Sequence, residues 1–166
     1  MSRVIVLAND HSILGTTNWK RAAALITSGK AEMMAESSTK IHPKMNLPLA
    51  IKLIKAIANL HKKKVEWSKQ NIHIRDNFTC QYCGKKVEKS RVTIDHVIPK
   101  DQGGKNLFEN CVCSCFGCNN KKGNRTPDEA YMNLRKQPYR PSIMEFLFKK
   151  VKSEGLEKVL KDLEIY

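Results

Sequence analysis

"TIDHVIPKDQGG", residues 93–104, sets an acid and a histidine side by side at the end of a short β-branched run, then turns through Pro99, Gly103 and Gly104. Along a strand, consecutive side chains point to opposite faces, so Asp95 and His96 can serve one reacting group only where the chain bends. The proline and the two glycines supply the means to bend. Taken alone the dipeptide is weak, because an Asp and a His meet by chance in many chains. Its surroundings decide its meaning.

Those surroundings are cysteine-rich. Cys80 and Cys83 form one C-x-x-C, Cys115 and Cys118 a second, with 31 residues between Cys83 and Cys115. Four thiolates suit tetrahedral zinc and leave no ligand position open for chemistry, so the expected role is structural. Zinc binding free energy is folding free energy, which matters in a module this short. The competing readings are two disulfides or buried thiols. The start, "MSRVIVLANDHSILG", holds only five consecutive apolar residues, Val4 to Ala8, too few for a secretory h-region, and no run approaches a membrane span. The expectation is an intracellular, cytoplasmic protein, where reducing conditions favour metal over disulfides. Cys111 and Cys113, in "CVCSCFGC", read as apolar fillers on a strand, although Cys113 could compete for the metal.

At 166 residues with 41% hydrophobic content, the chain suits one ordinary domain, or a small core with appendages, and is not disordered throughout. Lys and Arg total 30 against 16 acids, a formal +14. Four thiolates and one zinc lower this only to about +12. Such a surface attracts polyanions, nucleic acid first and an anionic membrane next.

Val4 to Leu7 read as a buried strand, Asn9 and Asp10 as a turn, and "TNWKRAAALITSGK" as a helix starting near Thr17 or Asn18 and stopping at Gly29. Residues 41–46 contain Pro43 and show no clear period. "LPLAIKLIKAIANLHKKK" sets Ile51, Ile54 and Ala58 on one side and Lys52, Lys55, Asn59 and Lys62 on another, the pattern of a basic amphipathic helix with a core-facing stripe. "NIHIRDNFTCQYCGKK" suggests a helical turn leading into the first Cys knuckle, "RVTID" a strand, and "KNLFEN" a turn or short helix. "NNKKGNRTPDEAYMNLR" reads as two helical pieces, the second opened by a capping box of Thr126, Pro127 and Glu129. The tail, "SIMEFLFKKVKSEGLEKVLKDLEIY", is helical in period around Gly155.

Between the knuckles stand Asp95, His96 and Asn110, and Asn119 directly follows the last Cys; the two Asn lie 14 and 23 residues after His96. This ordered set resembles the HNH endonuclease family, in its zinc-bearing branch of bacterial and phage type. "RDNFTCQYCGKK", "IDHVIPKDQGGKNLFEN" and "CNNKKGNRTPDEA" all carry the likeness, over roughly residues 71–131, and several spaced motifs agreeing make it specific. "VIVLANDHSILGTTNWKRAAALITSGKAEMM" is also similar, more weakly, to an N-terminal extension of bacterial members.

The resemblance implies an α+β fold: a ββα-metal (HNH, His-Me finger) module with a structural zinc knuckle, a small α/β extension before it and a C-terminal helix after it. The matching divisions are 1–70 for the extension with its basic helix, 71–137 for the nuclease module with its four-cysteine zinc site, and 138–166 for the helical tail. It implies a metal-dependent endonuclease acting on DNA phosphodiesters, with His96 taking a proton from water. Asp95 and Asn119 would hold a catalytic divalent ion, and Asn110 would pin the loop through hydrogen bonds. Many members end in His where this chain has Asn119; Asn120 beside it could replace it as ligand, but Asn119 directly follows the last Cys, as in the family pattern. An amide oxygen is harder than imidazole, which favours magnesium or manganese over nickel or zinc.

Lys121, Lys122 and Arg125 after the last knuckle, and Lys85, Lys86, Lys89 and Arg91 before the first strand, are candidate phosphate contacts, although any one of them could equally be a solvated face residue. His11, His42, His61 and His73 lack a comparable setting and read as structural. The competing function is a non-catalytic zinc-ribbon regulator that binds nucleic acid, to which an acid beside His96 would be of no use. A monomer addresses one phosphate and nicks; a homodimer could cut both strands, with the helix around Ile143 to Val151 as candidate interface, though such stripes more often pack internally.

Overall fold

Val4, Ile5 and Leu7 are fully buried on β1 (Arg3–Leu7), the strand around which the N-terminal sheet is built. The computed structural model describes residues 2–55 and 64–165. It groups the chain into two compact units, Met1–Lys63 with Ile143–Tyr166, and Lys64–Ser142.

In the first unit, β1 pairs antiparallel with β2 (Ile13–Asn18) and parallel with β4 (Met45–Leu53), which pairs antiparallel with β3 (Ala31–His42). The sheet order is β2-β1-β4-β3. Helix α1 (Trp19–Thr27) begins at Asn18, whose side chain accepts from the Arg21 N–H, and closes just before Gly29. Alternation along β1 divides its residues between two cores. Val4 packs with Ala22 of α1, Ala31 and Ile51, while Ile5 and Leu7 pack with Ala50 and the C-terminal helices.

Those helices, α4 (Ile143–Ser153) and α5 (Glu157–Asp162), bury Leu147, Val151, Val159 and Leu160 against that second face. The apolar stripe of the tail is therefore covered within its own chain.

One expectation is overturned here. The sequence pattern from Leu47 onward predicts an amphipathic helix, yet residues 45–53 form strand β4. A central strand covered on both faces reads as a near-continuous apolar run, and over so short a stretch that run imitates a helical stripe. Ile54 and Lys55 form a bend, and residues 56–63 of the expected helix, including Ala58, Asn59 and Lys62, lie outside the described residues. Strand β3 had no sequence signal, since Ser37 to Lys40 neither alternate nor bury. Pairing from Ala31↔Leu53 to His42↔Met45, across a turn at Pro43 and Lys44, makes it a strand.

The second unit is centred on β5 (Val92–His96) and β6 (Cys111–Cys115), antiparallel with Asp95 opposite Val112 and His96 opposite Cys111. Helix α3 (Phe116–Lys122) follows β6 directly, completing a ββα-type module, and α2 (Lys69–Arg75) precedes the first knuckle. Arg75, the last residue of α2, is buried. It grips Asp76 with two bonds of 2.8 Å and donates to the carbonyls of Phe108 (2.7 Å), Tyr139 (2.9 Å) and Cys111 (2.8 Å). Asp76 in turn accepts from the Cys113 N–H at 2.8 Å. A buried ion pair satisfied this fully holds α2, the β5–β6 loop and β6 in one arrangement.

Thr126 and Glu129 do form the expected reciprocal cap, with the Thr126 N–H 2.7 Å from the Glu129 carboxylate. The segment it opens is a run of turns from Pro127 to Tyr131 rather than a second helix. Among the described residues, no helix is long and apolar enough to cross a membrane.

Candidate active site and metal centre

Strand β5 ends at His96, and the chain bends at Val97 and Ile98 before a 3-10 turn at Lys100–Gln102. The bend is held from across the loop by Asn110. Its Oδ1 accepts from the Ile98 N–H (2.8 Å), its Nδ2 donates to the carbonyls of Ile98 and Lys105 (both 3.1 Å), and its own carbonyl accepts from the Val97 N–H (2.8 Å). Gly104 lets the loop close, because a Cβ there would stand 1.8 Å from the Ile98 carbonyl oxygen. Gly104→Ala is expected to force the loop open and cost about 1–3 kcal/mol. Gly117→Ala, on α3 with nothing within 4 Å of the added carbon, is the matched control. Thermal melting of the two variants checks this, and equal melting temperatures would refute it.

At the end of β5, just before that bend, Asp95 and His96 line one cleft of 160 Å³ with Asn119 of α3, together with Ile94, Pro99, Lys100, Lys122, Gly123 and Asn124. Asn119 projects there from α3, while Asn120, one residue on, is exposed and is not among the lining residues. The carboxylate and amide oxygens of Asp95 and Asn119 are the hard donors that magnesium or manganese takes, so the residues present fit such an ion.

Asp95 is 4% exposed and both of its oxygens are engaged. Oδ1 accepts from Lys122 Nζ at 3.0 Å, and Oδ2 accepts from the Tyr82 hydroxyl. Burial, and then the carboxylate beside it, push the Tyr82 hydroxyl far above its usual pKa, so it stays a donor. Lys122, expected on a phosphate-contact surface, is instead 1% exposed and also donates to the His96 carbonyl at 2.8 Å. The reason is helical spacing: three residues after Asn119, it shares the face of α3 turned toward β5.

His96 has a partner that sequence reasoning missed. Its Nε2 lies 2.8 Å from Asn106 Oδ1. An amide oxygen can only accept, so Nε2 is the donor in this contact. Lys100, exposed at the cleft, was also missed. Neither carries a signal at the level of spacing, since both lie in the irregular loop.

The four cysteines converge as expected. The sulfurs of Cys80, Cys83, Cys115 and Cys118 all lie within 4.8 Å of one another, and those of Cys83 and Cys115 are 3.9 Å apart. Zinc–sulfur bonds of about 2.3 Å in a tetrahedron set sulfurs about 3.8 Å apart, so the cluster is consistent with a zinc-binding knuckle. Burial would raise the Cys80 thiol, yet backbone contacts from Cys83, Cys115 and Tyr82 outweigh it and hold it near 6. Gly84, at φ +76°, closes the knuckle in a conformation that favours glycine. Cys111 and Cys113 lie apart from this cluster, buried on β6, where burial pushes the Cys113 thiol up to about 12.

Among the candidate phosphate contacts, Lys85, Lys86, Lys89, Arg91, Lys121 and Arg125 are exposed. Several have local partners as well. Arg125 donates to the carbonyls of Lys121 (2.7 Å) and Lys122 (3.2 Å), capping the C-terminus of α3, and Lys86 donates to the Asn77 carbonyl.

The module's order, strand, loop, strand and helix with a four-cysteine cluster at its edge, agrees with the family comparison: residues 80–125 match the family model described as HNH endonuclease. The chain carries an HNH endonuclease domain. A CRISPR-associated endonuclease Cas9 of Corynebacterium diphtheriae is 32% identical to it over 123 residues, 74% of this chain. The chain spans 10% of that relative's length. The matched residues of the HNH domain run from Cys80 through Arg125, and so include both knuckles, β5, β6 and α3.

Proposed function

We propose that this chain is a metal-dependent HNH endonuclease that hydrolyses DNA phosphodiester bonds. The observation that carries the reading is the single cleft lined by Asp95, His96 and Asn119. His96, with its proton held on Nε2 by Asn106, presents Nδ1 to accept a proton from the attacking water. Asp95 and Asn119 would hold a magnesium or manganese ion, which when bound would supply stabilisation of the charge that develops at the phosphate and the leaving oxygen. Asn110 keeps the loop closed, so that His96 and the metal ligands face one phosphate. The cysteine cluster binds a structural zinc.

Lys100 lines the cleft, and the exposed Lys121, Lys85, Lys86, Arg91 and Arg125 are candidate phosphate contacts, in keeping with the +14 formal charge. One cleft addresses one phosphate, so a single copy nicks. The setting is intracellular.

Supercoiled plasmid incubated with zinc-loaded protein tests the reading, with magnesium, manganese or EDTA. Nicking with magnesium or manganese and none with EDTA is the expected result. Plasmid binding without cleavage in any metal would favour the zinc-ribbon regulator instead. The oxygen-donor set makes a further prediction: full activity with nickel or zinc and none with magnesium would overturn the assignment of Asn119 as a ligand.

A further inference from the structure

Tyr82 stands between the two cysteines of the first knuckle, yet its hydroxyl donates to Asp95 Oδ2 on β5. A two-residue spacer between two metal ligands has little freedom. Here it is further tied by the Cys80 N–H to the Lys85 carbonyl, the Gly84 N–H to the Cys80 carbonyl and the Gln81 N–H to the Cys113 carbonyl, each 2.9 Å. The knuckle therefore sets where the Tyr82 ring points. On the other side of the same carboxylate, Lys122 Nζ holds Oδ1 at 3.0 Å.

The two partners differ in what they do to a cation. An ionised carboxylate offers about four lone-pair sites, so one bond from each partner leaves capacity on both oxygens. Tyr82 is a neutral donor and orients the carboxylate without opposing an incoming ion. Lys122 carries a full charge and competes with it. With the hydroxyl removed, Lys122 would be the only partner of Asp95 among the contacts described above, and a buried carboxylate turns toward its remaining charge.

We propose that Tyr82 is a positioning residue that holds the Asp95 carboxylate open to the divalent ion and so makes the catalytic metal site depend on the intact Cys80–Cys83 knuckle. This rests on the reading of Asp95 as a metal ligand. Outer-shell partners of metal ligands typically contribute 10–100-fold in metal affinity.

The test compares wild type, Tyr82→Phe and Asp95→Ala, all zinc-loaded and free of nucleic acid, by manganese binding measured with electron paramagnetic resonance. Tyr82→Phe keeps the ring and removes only the hydroxyl. It is expected to retain one zinc per chain and to remain folded at the assay temperature while its manganese Kd rises about 10-fold or more. Asp95→Ala is expected to lose the site. Unchanged manganese affinity in Tyr82→Phe, beside its loss in Asp95→Ala, would overturn the inference and leave Asp95 as a ligand. Wild-type affinity in Asp95→Ala would overturn the reading beneath it. A Tyr82→Phe protein that cannot hold zinc would make the hydroxyl a folding contact and also overturn the proposal.

Discussion

His96→Ala is expected to slow plasmid nicking by about 10²- to 10⁴-fold while leaving DNA affinity and zinc content unchanged. That range corresponds to about 3–5 kcal/mol of transition-state stabilisation. On the proposed reading the loss falls on kcat, because there His96 takes the proton from water rather than holding the phosphate. The imidazole also contributes little to the fold. Its ring bonds only to Asn106 among the described contacts, and the carbonyl that accepts from Lys122 belongs to the backbone and survives the substitution. Single-turnover nicking with protein in excess separates the chemical step from binding. A rate within tenfold of wild type would remove His96 from the role of general base.

Zinc removal is expected to have the largest effect on structure, and to act on one unit alone. All six cysteines lie between residues 80 and 118, inside the Lys64–Ser142 unit. Structural zinc contributes on the order of 10 kcal/mol or more, comparable with the whole stability of a small domain. A chelator strong enough to strip the metal should therefore unfold residues 64–142. Residues 2–55 and 143–165 have their own cores, on the two faces of the β2-β1-β4-β3 sheet, and should keep theirs. Hydrogen exchange with and without chelator reads both units in one experiment. Full protection across β5, β6 and α3 after metal analysis shows the zinc gone would mean that the cysteine cluster is not a folding cross-link.

The ββα-type module and its cysteine cluster were legible in the sequence because their determinants are local and discrete. A C-x-x-C pair brings two thiols together by itself, and a β-branched run ending in proline and glycines marks where a strand stops. The Asn18 cap and the Thr126–Glu129 cap were readable for the same reason, since each is closed by residues three apart. Where a segment's state depended on a distant partner, the sequence was silent or misleading. β3 is a strand only because β4 lies beside it, and β4 looks helical until both of its faces are covered.

The same division runs through the candidate site. Knuckle spacing pointed to the cysteine cluster, and the resemblance carried by the order of Asp95, His96, Asn110 and Asn119 pointed to nuclease chemistry and to candidate residues for it. Only the tertiary structure decided what those residues touch: Asn106 on the His96 ring, Lys122 buried against Asp95, and Tyr82 reaching from the knuckle to the same carboxylate. The reason is physical. Which residue types can bind a metal or move a proton is a property of each side chain, carried wherever it stands in the chain. Which oxygen is already engaged, and by which cation, depends on distances of about 3 Å between atoms up to 27 residues apart, and folding alone sets those.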